Sequence, residues 1–254
     1  MRLFPTPPYQ DVTELLDSIS GVDSHDLQTT LRDIRRANIF GLGTWVVKHH
    51  LEKLLGSRGH TGTLSVLDVA TGSGDIPEEL FRWAGRRGIQ LSAVLTDISP
   101  EILEVARERI NEAGFGGSSS FVVCDAGKLP FADASFDVVV CSLAFHHLTL
   151  AQGRAAFREL ARLSRVGFIV NDVYRSQGAW YMAWALVHLT TTNRLTRHDG
   201  PASVLRAFTP RELRRMAAEV GVPVSVHTHP FWRVAVVGRR LPGGGGGPVA
   251  EATG

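Results

Sequence analysis

The sequence predicts an α/β protein: a doubly wound sheet of seven strands, mostly parallel, closing in a C-terminal antiparallel hairpin, with N-terminal helices and an inserted cap helix. Three observations predict it. Short β-rich runs alternate with helix-patterned segments between residues 64 and 170, which makes the strands parallel with right-handed crossovers. The last two β-rich runs, 222–227 and 233–237, are joined by residues 228–232, a connection short enough only for a hairpin. Finally, 254 residues with 44% hydrophobic and 20% charged side chains can bury the core of one such domain with additions.

Taken in order, residues 11–57 read as helices, with Val12, Leu15 and Leu16 and then Val46, Val47, Leu51, Leu54 and Leu55 at helical spacing. Residues 1–57 are therefore expected to form an N-terminal helical cap, ended by the glycine-rich loop 56–62. Leu64 to Ala70 reads as the first strand, and a helix restarts near Pro77, proline being tolerated in a first turn. Strand 91–96, helix 100–112, strands 119–124 and 136–143, helix 151–163 and strand 165–170 continue the alternation. Residues 177–192 then form an uncharged, aromatic-rich helix where a sheet would normally continue, so an insertion at about 173–208 is expected within a domain spanning 58–240. Helix 210–220 precedes the hairpin, and the Gly/Pro-rich tail 241–254 is expected to be disordered.

Composition narrows the function classes. No apolar run reaches the ~18 residues that span a bilayer, and the N-terminus lacks the pattern of a signal peptide, so a cytoplasmic protein is expected. Cys124 and Cys141 alone make neither a disulfide framework nor a zinc knuckle. The net charge of +2 divides into −5 for residues 1–127 and +7 for 128–254. No basic stripe is interleaved with aromatics, so nucleic acid is not an expected partner. The basic half reads as solvated helix faces, with an anionic substrate as the alternative.

The segment Asp68-Val-Ala-Thr-Gly72-Ser-Gly74-Asp-Ile-Pro77 lies between the first strand and its helix, at the sheet rim where open α/β sheets bind ligands. Asp97 closes the second strand 25 residues after Gly72, placed to accept from two ribose hydroxyls. A dinucleotide fingerprint needs a third glycine where this chain has Pro77, and Asp68 sits close to where a pyrophosphate would lie. A cationic ligand, ammonium or sulfonium, suits that charge better. Asp125, after the third strand, can accept from an exocyclic adenine amine. Three carboxylates thus face a cationic, ribose-bearing ligand.

Together with Thr96-Asp97-Ile-Ser-Pro-Glu-Ile-Leu, Asp125-Ala-Gly-Lys-Leu-Pro-Phe and Ser135-Phe-Asp-Val-Val-Val-Cys-Ser-Leu-Ala-Phe-His-His-Leu148, this motif resembles the class I S-adenosylmethionine-dependent methyltransferases over roughly residues 35–240. It is most similar to the small-molecule branch that includes the ubiquinone and menaquinone methyltransferases. The resemblance implies a Rossmann-like fold and S-adenosyl-L-methionine as cofactor. It also implies the methionine moiety near Asp68, Ala70, Gly72 and Gly74, the ribose at Asp97, the adenine on Ile98 with its amine at Asp125 beside Ala126, and Ser142 closing the methionine side. Arg36 and Asn38 reach over the cofactor in this reading, or else simply end a helix before Gly41 and Gly43. The acceptor site is not carried over, because 171–175 and 197–201 depart from the family pattern.

The sulfonium already carries an activated methyl, so the protein mainly aligns the reactants and excludes water, with no metal required. A phenolic or enolic acceptor benefits from a base, and His146, His147, Asp172 and His198 are the candidates. His146 and His147 end the fourth strand in this reading, so at most one of the two enters the pocket. The alternatives are packing for the histidine pair, loop hydrogen bonding for Asp172, and a turn at His198-Asp-Gly-Pro201. Trp180, Tyr181 and Trp184 form either a core face or an apolar wall for a lipophilic or aromatic acceptor of the kind met in secondary metabolism. A nucleotide-dependent oxidoreductase and a non-catalytic cofactor-binding partner subunit are the competing readings, and oligomeric state stays open.

Overall fold

A computed structural model of the chain describes residues 6–17, 24–56 and 62–240. The expected disordered tail lies outside the described residues. Seven strands, β1 (Thr63–Val69), β2 (Gln90–Asp97), β3 (Ser119–Val123), β4 (Phe136–Ser142), β5 (Ser164–Val173), β6 (Val224–His229) and β7 (Arg233–Arg239), form one sheet in the order β3-β2-β1-β4-β5-β7-β6. β1 through β5 pair with one another in parallel, and β7 runs antiparallel to both β5 and β6. The mostly parallel sheet with its antiparallel end is as expected.

Strand alternation sends successive side chains to opposite faces, and each face has its own core. Val66, Val138, Val140 and Ile169 meet Leu51, Leu80 and Ile110 from helices α2 (Gly43–Leu55), α3 (Asp75–Gly85) and α4 (Pro100–Glu112). Leu67, Val139, Phe168 and Val234 meet Phe157, Leu160 and Met216 from α5 (Leu150–Leu163) and α8 (Pro210–Glu219). The helix starts follow local chemistry. Ser99 caps α4 ahead of Pro100, while Thr149 with Gln152 and Thr209 with Glu212 form capping boxes for α5 and α8.

Above the carboxyl ends of the strands lie α1 (Ser24–Phe40), α6 (Gln177–Thr190) and α7 (Arg194–Arg206). α7 packs on α6, on α1 and on the 3-10 turns Leu15–Asp17 and Phe145–His147. Three expectations are corrected here. The insertion is two helices: His198, Asp199, Gly200 and Pro201 lie inside α7, because Asn193 caps that helix by accepting from Leu195 N–H and Thr196 N–H. Residues 11–14 are not helical, since the amides of Leu15 and Leu16 are bound by the Asp199 carboxylate at 2.8 and 3.0 Å. And β4 stops at Ser142, so His146 and His147 sit on the 3-10 turn instead of a strand.

Candidate functional site

The strand order reverses between β1 and β4, and the crevice beyond their carboxyl ends is the natural ligand position of such a sheet. Both strands leave the sheet through a non-glycine residue in the left-handed region, Ala70 at φ 54° and Leu143 at φ 54°. Such a conformation costs roughly 1–2 kcal/mol at a non-glycine residue.

The glycine-rich turn follows β1. Gly72 (φ 56°) has open space where a Cβ would stand, and Gly74 (φ 73°) caps α3 where a Cβ would meet Ala106 Cβ at 3.3 Å. Asp68 lies beneath this turn, 2% exposed. Its Oδ2 accepts from Thr71 Oγ1 at 2.6 Å, and its Oδ1 has no hydrogen-bond partner among the described residues. Burial pushes the Asp68 carboxyl up to about 8, with Asp75 and Asp97 adding like charge against the Thr71 bond. Asp97 ends β2 and braces the same turn: Oδ2 accepts from Gly72 N–H at 3.0 Å and Oδ1 from Ser99 N–H at 3.1 Å. Burial raises this carboxyl too, against the pull of those amides.

Around these two groups the other cofactor candidates fall on one rim. Ile98 is 70% exposed directly after Asp97. Asp125 follows β3 with Oδ1 accepting from Gly127 N–H at 2.7 Å, and Ala126 packs toward the core. Ser142 Oγ, at the end of β4, accepts from Asn171 Nδ2 at 2.8 Å. Asn38 is buried and donates through Nδ2 to Asp75 Oδ2 at 2.9 Å, which ties α1 to the first turn of α3. Arg36 goes elsewhere: it is exposed and pairs with Asp33 at 3.4 Å.

On the other side of the crevice, Asp172 in β5 is fully enclosed and organises the turn after β4. Its Oδ2 accepts from His146 N–H at 3.1 Å, and its Oδ1 lies 2.8 Å from His146 Nδ1 and accepts from Val173 N–H at 2.7 Å. Burial alone would lower the His146 pKa, but the charge and hydrogen bond of Asp172, with Glu14, outweigh it and raise it. In return His146 holds Asp172 below its ordinary value despite burial. The alternation expected of a strand does not apply on a 3-10 turn, and both imidazoles lie on the same side with ring centroids 4.3 Å apart. Glu14 faces both of them, 3.8 Å from each Nε2. His198, by contrast, is on the outer part of α7, with Nδ1 2.8 Å from Asp199 Oδ1.

Trp180, Tyr181 and Trp184 all lie on α6, which packs mainly on α7. Tyr181 is 52% and Trp184 47% exposed, so this face is neither closed core nor closed pocket. Sequence reading missed Glu14, Thr71 and Asn171. Thr71 was available inside the glycine-rich motif. Glu14 had no local signal, since it is brought in by the N-terminal segment, where Arg175 Nε donates to the Pro7 carbonyl at 3.1 Å and Tyr9 stacks on Phe208.

Comparison with known proteins finds likenesses in sequence and in fold. Residues 66–167 match a family profile described as a methyltransferase domain. The chain is 39% identical over 103 residues to the ubiquinone/menaquinone biosynthesis C-methyltransferase UbiE of Hahella chejuensis, covering 41% of this chain and 39% of that protein. It is 35% identical over 140 residues to UbiE of Azotobacter vinelandii, covering 53% of each. The matches thus span about half or less of these relatives' length. Among solved structures, magnesium protoporphyrin IX methyltransferase from Synechocystis with bound S-adenosylmethionine superposes with a TM-score of 0.59 at 15% identity, over 89% of this chain and 94% of that one. An S-adenosylmethionine-dependent methyltransferase from Aquifex aeolicus gives 0.51 at 18% identity, over 73% and 87%. Both likenesses are of fold.

Proposed function

We propose that the protein binds S-adenosylmethionine and moves its methyl group to a small lipophilic, aromatic or polyketide-like acceptor, at oxygen or at an activated ring carbon, a reading supported by the match of residues 66–167 to a methyltransferase domain profile and by the partial similarity to UbiE. The observation that carries this reading is the pair of buried carboxylates on one glycine-rich turn at the switch point. Asp68 keeps a buried oxygen without a hydrogen-bond partner among the described residues, and Asp97 is held beside Gly72 by two backbone amides. The residues fit the cofactor: a buried acceptor without a donor suits an ammonium, and the open side of Gly72 admits a ligand against the backbone.

When bound, S-adenosylmethionine supplies a methyl group on a sulfonium, so the chemistry needs no covalent intermediate on the protein. Asp68 receives the ammonium, Asp97 the ribose hydroxyls and Asp125 the adenine amine, with Ile98 against the ring. The acceptor side is formed by the 145–147 turn and the apolar face of α6. Asp172 fixes the His146 ring by binding Nδ1, which leaves Nε2 facing Glu14, and for an oxygen acceptor entering on that side His146 is the candidate to take its proton. Trp180, Tyr181 and Trp184 supply apolar contact to the acceptor. A cytoplasmic setting fits this reading, and among the described residues no helix is long and apolar enough to cross a membrane.

The test is direct. S-adenosylhomocysteine should bind with micromolar affinity in calorimetry and NAD should not, since Pro77 stands where a dinucleotide site needs glycine. Labelled S-adenosylmethionine should methylate a member of a panel of quinols, phenols and polyketide-like lipids. Tight NAD binding would point to an oxidoreductase. Cofactor binding with no transfer to any acceptor would point to a partner subunit.

A further inference from the structure

We propose that Glu14, His146 and His147 form a binding site for one divalent transition-metal ion of the zinc class, set on the acceptor side of the crevice. One ligand atom from each of the three lies within 4.8 Å of the other two. The pairs resolved individually, Glu14 Oε1 to His146 Nε2 and Glu14 Oε2 to His147 Nε2, are both 3.8 Å. Donors sharing an ion at bonds of about 2.0–2.2 Å stand roughly 3–4 Å apart, so a small contraction brings the three onto one centre. Two imidazoles and one carboxylate are a common donor set for zinc and iron(II) sites that keep positions open to an exogenous ligand.

Two further observations point to a ligand here. Glu14 is a carboxylate with a side chain only 4% exposed, and its Oε1 has no hydrogen-bond partner among the described residues. A buried carboxyl oxygen left without a donor is costly, and a cation in its direction relieves that cost. Arg206 stands nearby, with Nη1 3.9 Å from Oε1, too far for a hydrogen bond, while its Nη2 donates to the His147 carbonyl at 3.1 Å. It tempers the charge and leaves the coordination direction open. The second observation is Asp172, 2.8 Å from His146 Nδ1. A carboxylate on the far nitrogen fixes the tautomer that presents the Nε2 lone pair, an arrangement that accompanies metal-bound histidine.

The site uses none of the residues of the glycine-rich turn, and its occupancy does not depend on which acceptor the protein takes. In the proposed methyltransferase, an ion here would bind an acceptor oxygen in its open position and take over the role of holding that oxygen deprotonated. It is also separate from the histidine group at the far edge of the sheet, where His50 Nε2 and His229 Nε2 lie 2.9 Å apart.

The experiment uses the full chain stripped with a chelator and titrated with Zn2+ by calorimetry and with Co2+ by visible absorption. S-adenosylhomocysteine affinity is measured in parallel. One equivalent of each metal should bind, with Co2+ showing ligand-field bands of a low-coordinate nitrogen and oxygen site. Glu14→Gln and the double variant His146→Gln with His147→Gln should weaken Zn2+ at least tenfold, while His50→Gln should not. Lack of stoichiometric binding by the parent, or loss of binding on His50→Gln alone, would overturn the proposal without needing any variant of the site to fold. Retained S-adenosylhomocysteine affinity alongside absent metal binding would refute the ion and spare the methyltransferase reading.

Discussion

Replacing Asp68 with asparagine should make the ligand-free protein more stable and the cofactor complex weaker. Burial holds the Asp68 carboxyl at about 8 in the folded chain, against 3.8 for an ordinary aspartate. A raised pKa means that folding favours the protonated form. The stabilisation is therefore complete below pH ~4 and is lost progressively as the pH rises through about 8. Each pH unit in that window is worth about 1.4 kcal/mol, so this group removes roughly 2–3 kcal/mol between pH 5 and pH 7. For a chain of this size that is about 5–10 °C in Tm. The asparagine side chain would keep an oxygen for the Thr71 hydroxyl and would have no proton to lose, so the difference in Tm between variant and parent should widen steadily from pH 5 to pH 8. Binding shows the opposite face of the same linkage. The ammonium of S-adenosylhomocysteine needs the ionised carboxylate, so the parent's affinity should rise with pH up to about 8, by as much as tenfold per unit. The variant should bind about 10²-fold more weakly at pH 8 with a flat profile, a loss of about 2–3 kcal/mol typical of a charge-assisted hydrogen bond. Thermal unfolding and calorimetry across pH 5–8 measure both. A variant that melts below the parent at pH 7, or that keeps the parent's pH slope, would refute the assignment of an uncompensated buried acid.

Asp97→Ala should weaken S-adenosylhomocysteine about a hundredfold by calorimetry and also lower stability by about 1–3 kcal/mol, because it releases the Gly72 and Ser99 amides. An unchanged Kd would reduce Asp97 to a brace for the turn. Trp184→Ala and Phe157→Ala should separate pocket from core. Phe157 is fully buried and its truncation should cost about 3–5 kcal/mol. Trp184 is 47% exposed, and its loss should barely move the Tm while raising KM for a lipophilic acceptor at least tenfold. A large fall in Tm with unchanged KM would return α6 to the core.

What was legible in the sequence follows from the range of the forces involved. The strands, the capped helices and the cofactor rim are written in contiguous segments: the glycines of the turn, Asp97 two residues before a Ser cap, and Thr-x-x-Gln and Thr-x-x-Glu boxes. The rest depends on contacts across the chain or on backbone states that no residue type announces. Leu143 turns left-handed with a branched side chain, so nothing in the sequence marks the end of β4 before the histidine pair. The segment His198–Pro201 looks like a turn until Asn193 caps it into a helix whose Asp199 is spent on amides 183 and 184 residues away. Glu14 lies in a segment without helical structure, and only its long-range ties show that it belongs to the site.

Those ties also explain how one crevice has two chemically different walls. The sheet supplies both floors, Asp68 and Asp97 on one side and Asp172 on the other, but neither wall is finished by the sheet itself. The first forty residues finish both: Asn38 crosses to Asp75 at the glycine-rich turn, and Glu14 crosses to the histidine turn. Among the described residues they do so through polar, directional contacts, with Asp199 holding Leu15 and Leu16, and through a small apolar cluster in which Leu27 and Leu31, with Leu16 and Ile34 beside them, meet Ile102. A polar tie is worth about 0.5–1.5 kcal/mol net, a small amount beside the burial of whole apolar side chains in the two sheet cores. The N-terminal ties to the two walls are thus less costly to break than the sheet cores that carry Asp68, Asp97 and Asp172.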